Sequence, residues 1–223
     1  MLVQRFYAPY PGMVARFGSW AEVALELTRF AYDGSVSFEV AAWVAEHLTG
    51  GVSLNPLGDI FAAYLHLPTH YVADGRDDFW QNVRYTLEVK VGDCEDSTTT
   101  LTAILGKRGI DARVAVIPKH AAVVIPVEVD GWGRRSIAGW ELPADWLTFA
   151  YEGRIWLGLE TTLAVRRVPG EGTQKLREAA AVGQLWIGPP LQAVGLLLKL
   201  RAVADSLNWS LTKTGRRRRR QGF

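Results

Sequence analysis

Gly92-Asp93-Cys94-Glu95-Asp96-Ser97, followed by Thr98-Thr99-Thr100-Leu101-Thr102-Ala103-Ile104-Leu105-Gly106, is the stretch that decides the fold. Its first residues read as a strand or loop entering a helix. Asp93 suits the N-cap, and Glu95 and Asp96 suit the first turn, where acids meet the positive end of the helix dipole. Leu101, Ile104 and Leu105 then fall on one helical face. A thiol at such a helix start meets unpaired N–H groups, which favour thiolate and lower its pKa. Gly92 gives the backbone freedom for close approach or for a dihedral other residues resist. The neighbouring acids work the other way, because negative charge opposes ionisation of a thiol. A cationic partner is therefore required. His120, 26 positions on, is the natural one. A buried, inert structural thiol is the competing reading.

Outward from this helix, Gly109 punctuates the chain. Ala112–Ile117 and Ala121–Val129 are β-branched and apolar, hence strands. Gly131 and Gly133 mark a turn, and Arg154–Thr162 reads as a further strand. Upstream, helices are expected over 19–32 with Ser19 as cap, over 37–48 ended by Gly50 and Gly51, and from Pro56 to Leu65. Downstream, 169–174 reads as a linker, and Leu176–Val182 and Leu191–Leu207 as helices. The class is α+β: a nucleophile helix packed on an antiparallel sheet, with extra helices on either side. The domain division is 1–168 with a core at 71–165, a helical extension at 169–212, and a basic disordered segment at 213–223.

Composition narrows the chemistry. The chain has 223 residues, 48% hydrophobic and 22% charged, as in ordinary globular proteins. Nine Trp residues are expected to dominate the core or line a cleft. One Cys rules out an internal disulfide and a Cys-based zinc cluster. Residues 213–223 hold Lys213 and Arg216–Arg220 with no acid, which leaves 19 basic against 23 acidic residues elsewhere. Arg216, Arg217, Arg218, Arg219 and Arg220 thus form a candidate surface for nucleic acid phosphate or anionic lipid. No signal peptide is read at the start, and Pro189 and Pro190 break the longest apolar run, so a cytoplasmic location is expected. His66 and His70 are separated by Pro68, no HExxH occurs, and no metal site is expected. Asp74, Asp77 and Asp78 read as a polar turn. No phosphate-binding Gly-x-x-x-x-Gly-Lys-Ser/Thr occurs.

The run Tyr71–Val123 resembles the core of the transglutaminase-like superfamily, a papain-related fold, and in particular its microbial cysteine-peptidase-like members. That pattern starts with an extended segment carrying a Trp, matched by Tyr71-Val72, Phe79-Trp80-Gln81 and Thr86-Leu87-Glu88. It continues with Gly92-Asp93-Cys94-Glu95-Asp96, then Gly109-Ile110-Asp111-Ala112-Arg113-Val114, then His120-Ala121. The resemblance implies a third member, an Asp in a Trp-x-x-x-Asp-x-Thr strand. Trp156-Leu157-Gly158-Leu159-Glu160-Thr161-Thr162 is the matching string, with Glu160 in place of Asp. Glu128 and Asp130 are rivals for that place. Ala122 stands where the family often has an aromatic. Residues 131–152, with Trp132, Trp140 and Trp146, read as an insertion, either a lid or a substrate-facing loop.

The resemblance implies thiol-dependent acyl transfer on amide bonds by Cys94, His120 and Glu160, without a cofactor. A peptidase or amidase resolves the acyl-enzyme with water, and a transglutaminase resolves it with an amine. The Cys94 N–H, Gln81 and Trp80 are candidate oxyanion donors, and Asp93 a further substrate-side candidate. A non-catalytic binding scaffold whose arginines contact a polyanion is the reading from a different class.

Overall fold

The computed structural model describes residues 19–48, 55–67, 69–73, 80–162, 168–170 and 172–220, with side chains to residue 206. Gly50, Gly51, Asp74, Asp77, Asp78 and Phe79 lie outside them. The chain divides into a unit from Met1 to Leu191 and a second from Gln192 to Phe223.

In the first unit, α1 (Trp20–Ser35), α2 (Phe38–His47) and α3 (Pro56–Leu65) begin at side-chain caps. The Ser19 hydroxyl accepts from Glu22 N–H, Ser37 from Val40 N–H, and Asn55 Oδ1 from Gly58 N–H. Each cap satisfies an N–H that the helix itself leaves orphaned. After β1 (His70–Tyr71) comes α4 (Val83–Val89), where the resemblance implied extended chain. The Asn82 side chain caps it by accepting from Tyr85 N–H at 3.0 Å. That local bond outweighs the strand preference of Val83, Tyr85 and Thr86. Then follow β2 (Val91–Gly92) and α5 (Cys94–Lys107).

From Asp96 to Leu105, α5 is buried at every position. It touches all four preceding helices as well as β3 (Arg113–Ile117) and β4 (His120–Val129). Leu101, Ile104 and Leu105 anchor the main core together with Ile60, Val123 and Leu157. Arg108, its C-cap, donates from Nε to Asp59 Oδ2 at 2.9 Å; both side chains are buried, so the pair locks α3 to the end of α5.

The rest of the sheet comprises β5 (Arg135–Ile137), β6 (Trp140–Glu141), β7 (Thr148–Tyr151), β8 (Arg154–Leu159) and β9 (Trp186–Ile187). All its pairings are antiparallel: β6-β5-β4-β3-β9, with β8 joining β4 to β7. The α+β class is thus observed. Along β4 the side chains alternate between two cores. Val123, Ile125 and Val127 face the cluster around α5, while Ala122 and Val124 join Trp156 and Leu176 of α6 (Thr173–Ala181).

Residues 131–152 are not a lid. β7 extends the sheet along β8, and Trp146 is buried in the main core, held through its carbonyl by Arg135 at 3.0 Å. Trp132 is 88% exposed, beyond the end of β4 away from His120; nine strand steps of about 3.3 Å put roughly 30 Å between them. Nor is 169–174 a linker. Pro169 and Gly170 are buried, and a Cβ on Gly170 would come within 2.4 Å of the Leu147 nitrogen. Residues 213–220, read as disordered from their charge, continue α7 (Leu191–Arg220). No proline follows Leu191, and Leu, Ala, Lys and Arg all favour helix.

Arg108→Ala strands the Asp59 carboxylate without its ion-pair partner. It is expected to cost about 3–5 kcal/mol in chemical unfolding, whereas exposed Glu128→Ala stays within about 0.5 kcal/mol.

Candidate active site

Two β-strands and one helix start meet at a corner of the sheet. The ladder between β4 and β8 pairs Val123 with Leu159. Continuing that register, Glu160 falls opposite Ala122 and diagonal to His120, within reach of long side chains. Their groups do meet: His120 Nε2 lies 2.6 Å from Glu160 Oε2. Both are largely buried, their side chains 13% and 3% exposed. A carboxylate only accepts, so the bridging proton sits on Nε2 and leaves Nδ1 as the free base position.

Glu160 is held from three sides. Its Oε1 accepts from the Thr162 N–H at 3.0 Å and the Thr162 hydroxyl at 2.7 Å. Its backbone carbonyl accepts from Tyr64 Oη at 2.9 Å. Behind it stands Gly172 at φ 82°, where an added Cβ would come within 2.5 Å of Glu160 Cβ. Burial alone would raise the Glu160 pKa, but the hydrogen bond and charge of His120, with the Thr162 bonds, pull it below the usual value. Stability from this pair is therefore complete above pH about 4.5 and is lost as pH falls through the lowered folded-state value.

Cys94 opens α5 under a capping box. Asp93 Oδ1 accepts from Glu95 N–H at 3.1 Å and Asp96 N–H at 3.5 Å, and Asp96 Oδ2 accepts from Asp93 N–H at 3.4 Å. The other Asp96 oxygen accepts from Gln81 N–H at 2.7 Å. One buried carboxylate thus ties the Gln81 segment to the helix start. Gly92 is needed for packing: a Cβ there would meet Asp96 Cβ at 2.7 Å. The Gln81 side chain Oε1 is buried with no hydrogen-bond partner among the described residues.

The thiol reaches the same corner. The Ala121 backbone, next to His120 in sequence, lies near enough to Sγ to favour the thiolate weakly. Yet the thiol proton is directed at Glu95, Sγ to Oε2 at 2.8 Å. Burial first, then the Glu95 charge and hydrogen bond, then Asp93, push the thiol well above its ordinary pKa; Ala121 opposes them weakly. The expectation of a thiol acidified by the helix start is therefore reversed at rest. The dipole contribution is smaller than the combined cost of burial and two adjacent carboxyls. Burial and the Asp93 charge likewise raise Glu95 well above the carboxylate range.

The remaining candidates separate. Asp93 is spent as the helix cap and has no proton to give an oxyanion. Trp80 is 2% exposed and packs edge-on against Phe30 at 5.9 Å, in one cluster with Ala121, so its ring is a wall of the core. Glu128 and Asp130 are exposed at the far end of β4, hydrogen-bonded to Ser136 and Arg134. His47 stacks on Trp43 at 4.4 Å, and His66 and His70 are exposed. Among the described residues, the ligand atoms of Asp93, Cys94 and Glu95 lie within 4.8 Å of one another, a grouping that sequence spacing did not suggest. All three are already engaged, Asp93 in the cap and Cys94 and Glu95 with each other. Gly172 has no signal in the sequence, and the clamping role of Asp96 is signalled by the Asp-x-x-Asp spacing; Thr162 stands in the motif string, but its hold on Glu160 is visible only in the fold.

No protein-family model, curated protein or solved structure matches the chain.

Glu95→Gln removes the carboxyl that accepts the thiol proton and that opposes the thiolate once ionised, and is expected to lower the thiol titration midpoint, read by thiolate ultraviolet absorbance. Gly172→Ala is expected to displace Glu160 and to weaken the acid-limb dependence of stability that Glu160 confers. An unchanged unfolding profile between pH 3 and 5 would refute that buttressing role.

Proposed function

We propose that this chain is a thiol-dependent acyl transferase of transglutaminase-like, papain-like architecture, acting on amide bonds as a cysteine peptidase or amidase. The observation that carries the reading is the buried His120–Glu160 pair. It orients the imidazole at a corner where the backbone of the next residue, Ala121, weakly favours the Cys94 thiolate. A buried imidazole–carboxylate pair beside a lone thiol is a base–orienter–nucleophile set.

The steps follow from the groups present. The thiol turns from Glu95 toward His120, and Nδ1 takes its proton. Sulfur attacks the amide carbonyl carbon, and the oxyanion is met by the Cys94 N–H at the helix start and by the Gln81 side-chain amide. The C–N bond breaks, and His120 returns the proton to the departing amine. Water, activated by His120, hydrolyses the thioester and frees the thiol. Glu160 stabilises the imidazolium formed in each half. An amine in place of water gives transglutaminase-type cross-linking from the same intermediate.

A second reading is favoured by one observation, the Cys94–Glu95 hydrogen bond with its raised thiol pKa. It makes the domain a non-catalytic scaffold, with the arginines of residues 216–220 contacting a polyanion.

The test is mass-spectrometric trapping of an acyl-enzyme on Cys94 from a panel of peptide amides and glutamine peptides. Thioester formation is expected to vanish in Cys94→Ala and to fall by about 10²–10⁴-fold in His120→Ala. Product mass with an added amine separates hydrolysis from transamidation. Acylation that survives His120→Ala unchanged contradicts the mechanism, and an inert thiol leaves the scaffold.

A further inference from the structure

The second unit carries two features that the acyl-transfer reading does not use. The first is an apolar stripe. Leu196, Leu200 and Val203 are 59%, 56% and 58% exposed, and their spacing of four and three puts them on one face of α7. Leu207 and Leu211 continue the same spacing in the sequence. The second is charge. Lys199, Arg201, Lys213 and Arg216–Arg220 stand against one acid, Asp205, from Gln192 onward.

This helix has little to support it by itself. Every residue from Lys199 to Ser206 is exposed. Helices gain most of their stability by packing an amphipathic face, and isolated ones are marginal in water. Thr212, Thr214 and Gly215 are poor helix formers. The segment therefore needs an occupant on its apolar face.

Three occupants fit in part. A nucleic acid would take the arginines and leave the leucines in water. A second copy would cover the leucines but draw two polyarginine runs into one assembly. An anionic lipid surface takes both, with leucines in the acyl boundary and arginines on the headgroups. Among the described residues no helix is long and apolar enough to cross a membrane, which leaves a helix lying on the surface. We propose that α7 binds along an anionic membrane surface through Leu196, Leu200, Val203 and Arg216–Arg220. The proposal is independent of the chemistry at Cys94.

The experiment is co-sedimentation of the full chain with phosphatidylcholine vesicles, with and without phosphatidylserine, at two salt concentrations. Binding is expected only with phosphatidylserine, and weaker at high salt. Replacing Arg216–Arg220 with Gln is expected to weaken it at least about 100-fold, and L196S/L200S/V203S at least about 10-fold. The Cys94 titration serves as the check that both variants keep the first unit folded. Absence of binding to anionic vesicles overturns the proposal. So does tighter, leucine-independent binding to duplex DNA or RNA, which assigns the arginines to nucleic acid. Self-association lost in the leucine variant, without vesicle binding, assigns the stripe to a second copy.

Discussion

A helix buried on nearly every side must satisfy its first N–H groups without water, and α5 does so with its own carboxylates. Asp93 and Asp96 close the capping box, and the spare oxygen of Asp96 reaches the Gln81 backbone. An unmade buried hydrogen bond costs on the order of 1–3 kcal/mol, so this arrangement is demanding to break. It also fixes the position of the candidate site. The same carboxylates that permit burial hold Cys94 at the first helical position and bring the Gln81 segment alongside. Gly92 follows from that constraint, since its missing side chain is the space Asp96 occupies.

That solution has an electrostatic consequence. Asp93 and Glu95 crowd a sulfur already removed from water, and together they hold the thiol protonated. Opposite them, Glu160 is kept ionised by His120 and Thr162 in spite of burial. The corner thus holds a thiol bonded to Glu95 and an imidazole oriented by Glu160. Under the mechanism proposed above, the thiol must first leave Glu95, a side-chain rotation between staggered wells. Proton transfer would then accompany attack, and Glu95 would set how readily the thiol is released.

Much of the fold was legible because its signals are local. Ser19, Ser37 and Pro56 mark three helix starts, and the β-branched runs give β3 and β4 within a residue or so of their ends. The Asp93 cap was legible from its place before the helix, whereas Glu160 was singled out only by the motif resemblance over Trp156–Thr162. What was not legible depends on contacts far apart in sequence. Gly172, in a Gly-Pro-rich stretch that reads as a linker, is needed against a carboxylate twelve residues earlier. Residues 131–152 looked like an insertion near the site because sequence distance says nothing of strand direction; β4 carries them away from His120. The Cys94 pKa had the wrong sign because the dipole argument is local, whereas burial and the Glu95 rotamer belong to the assembled corner.

The account rests on His120 acting as base for Cys94. The direct measurement is the rate of iodoacetamide alkylation of Cys94 from pH 4 to 10 in the native protein and in His120→Ala. The mechanism proposed above predicts that the native thiol already alkylates near neutral pH and that His120→Ala moves the profile above the free-thiol value of about 8.5. Identical profiles, or an inert thiol in both proteins, would contradict it.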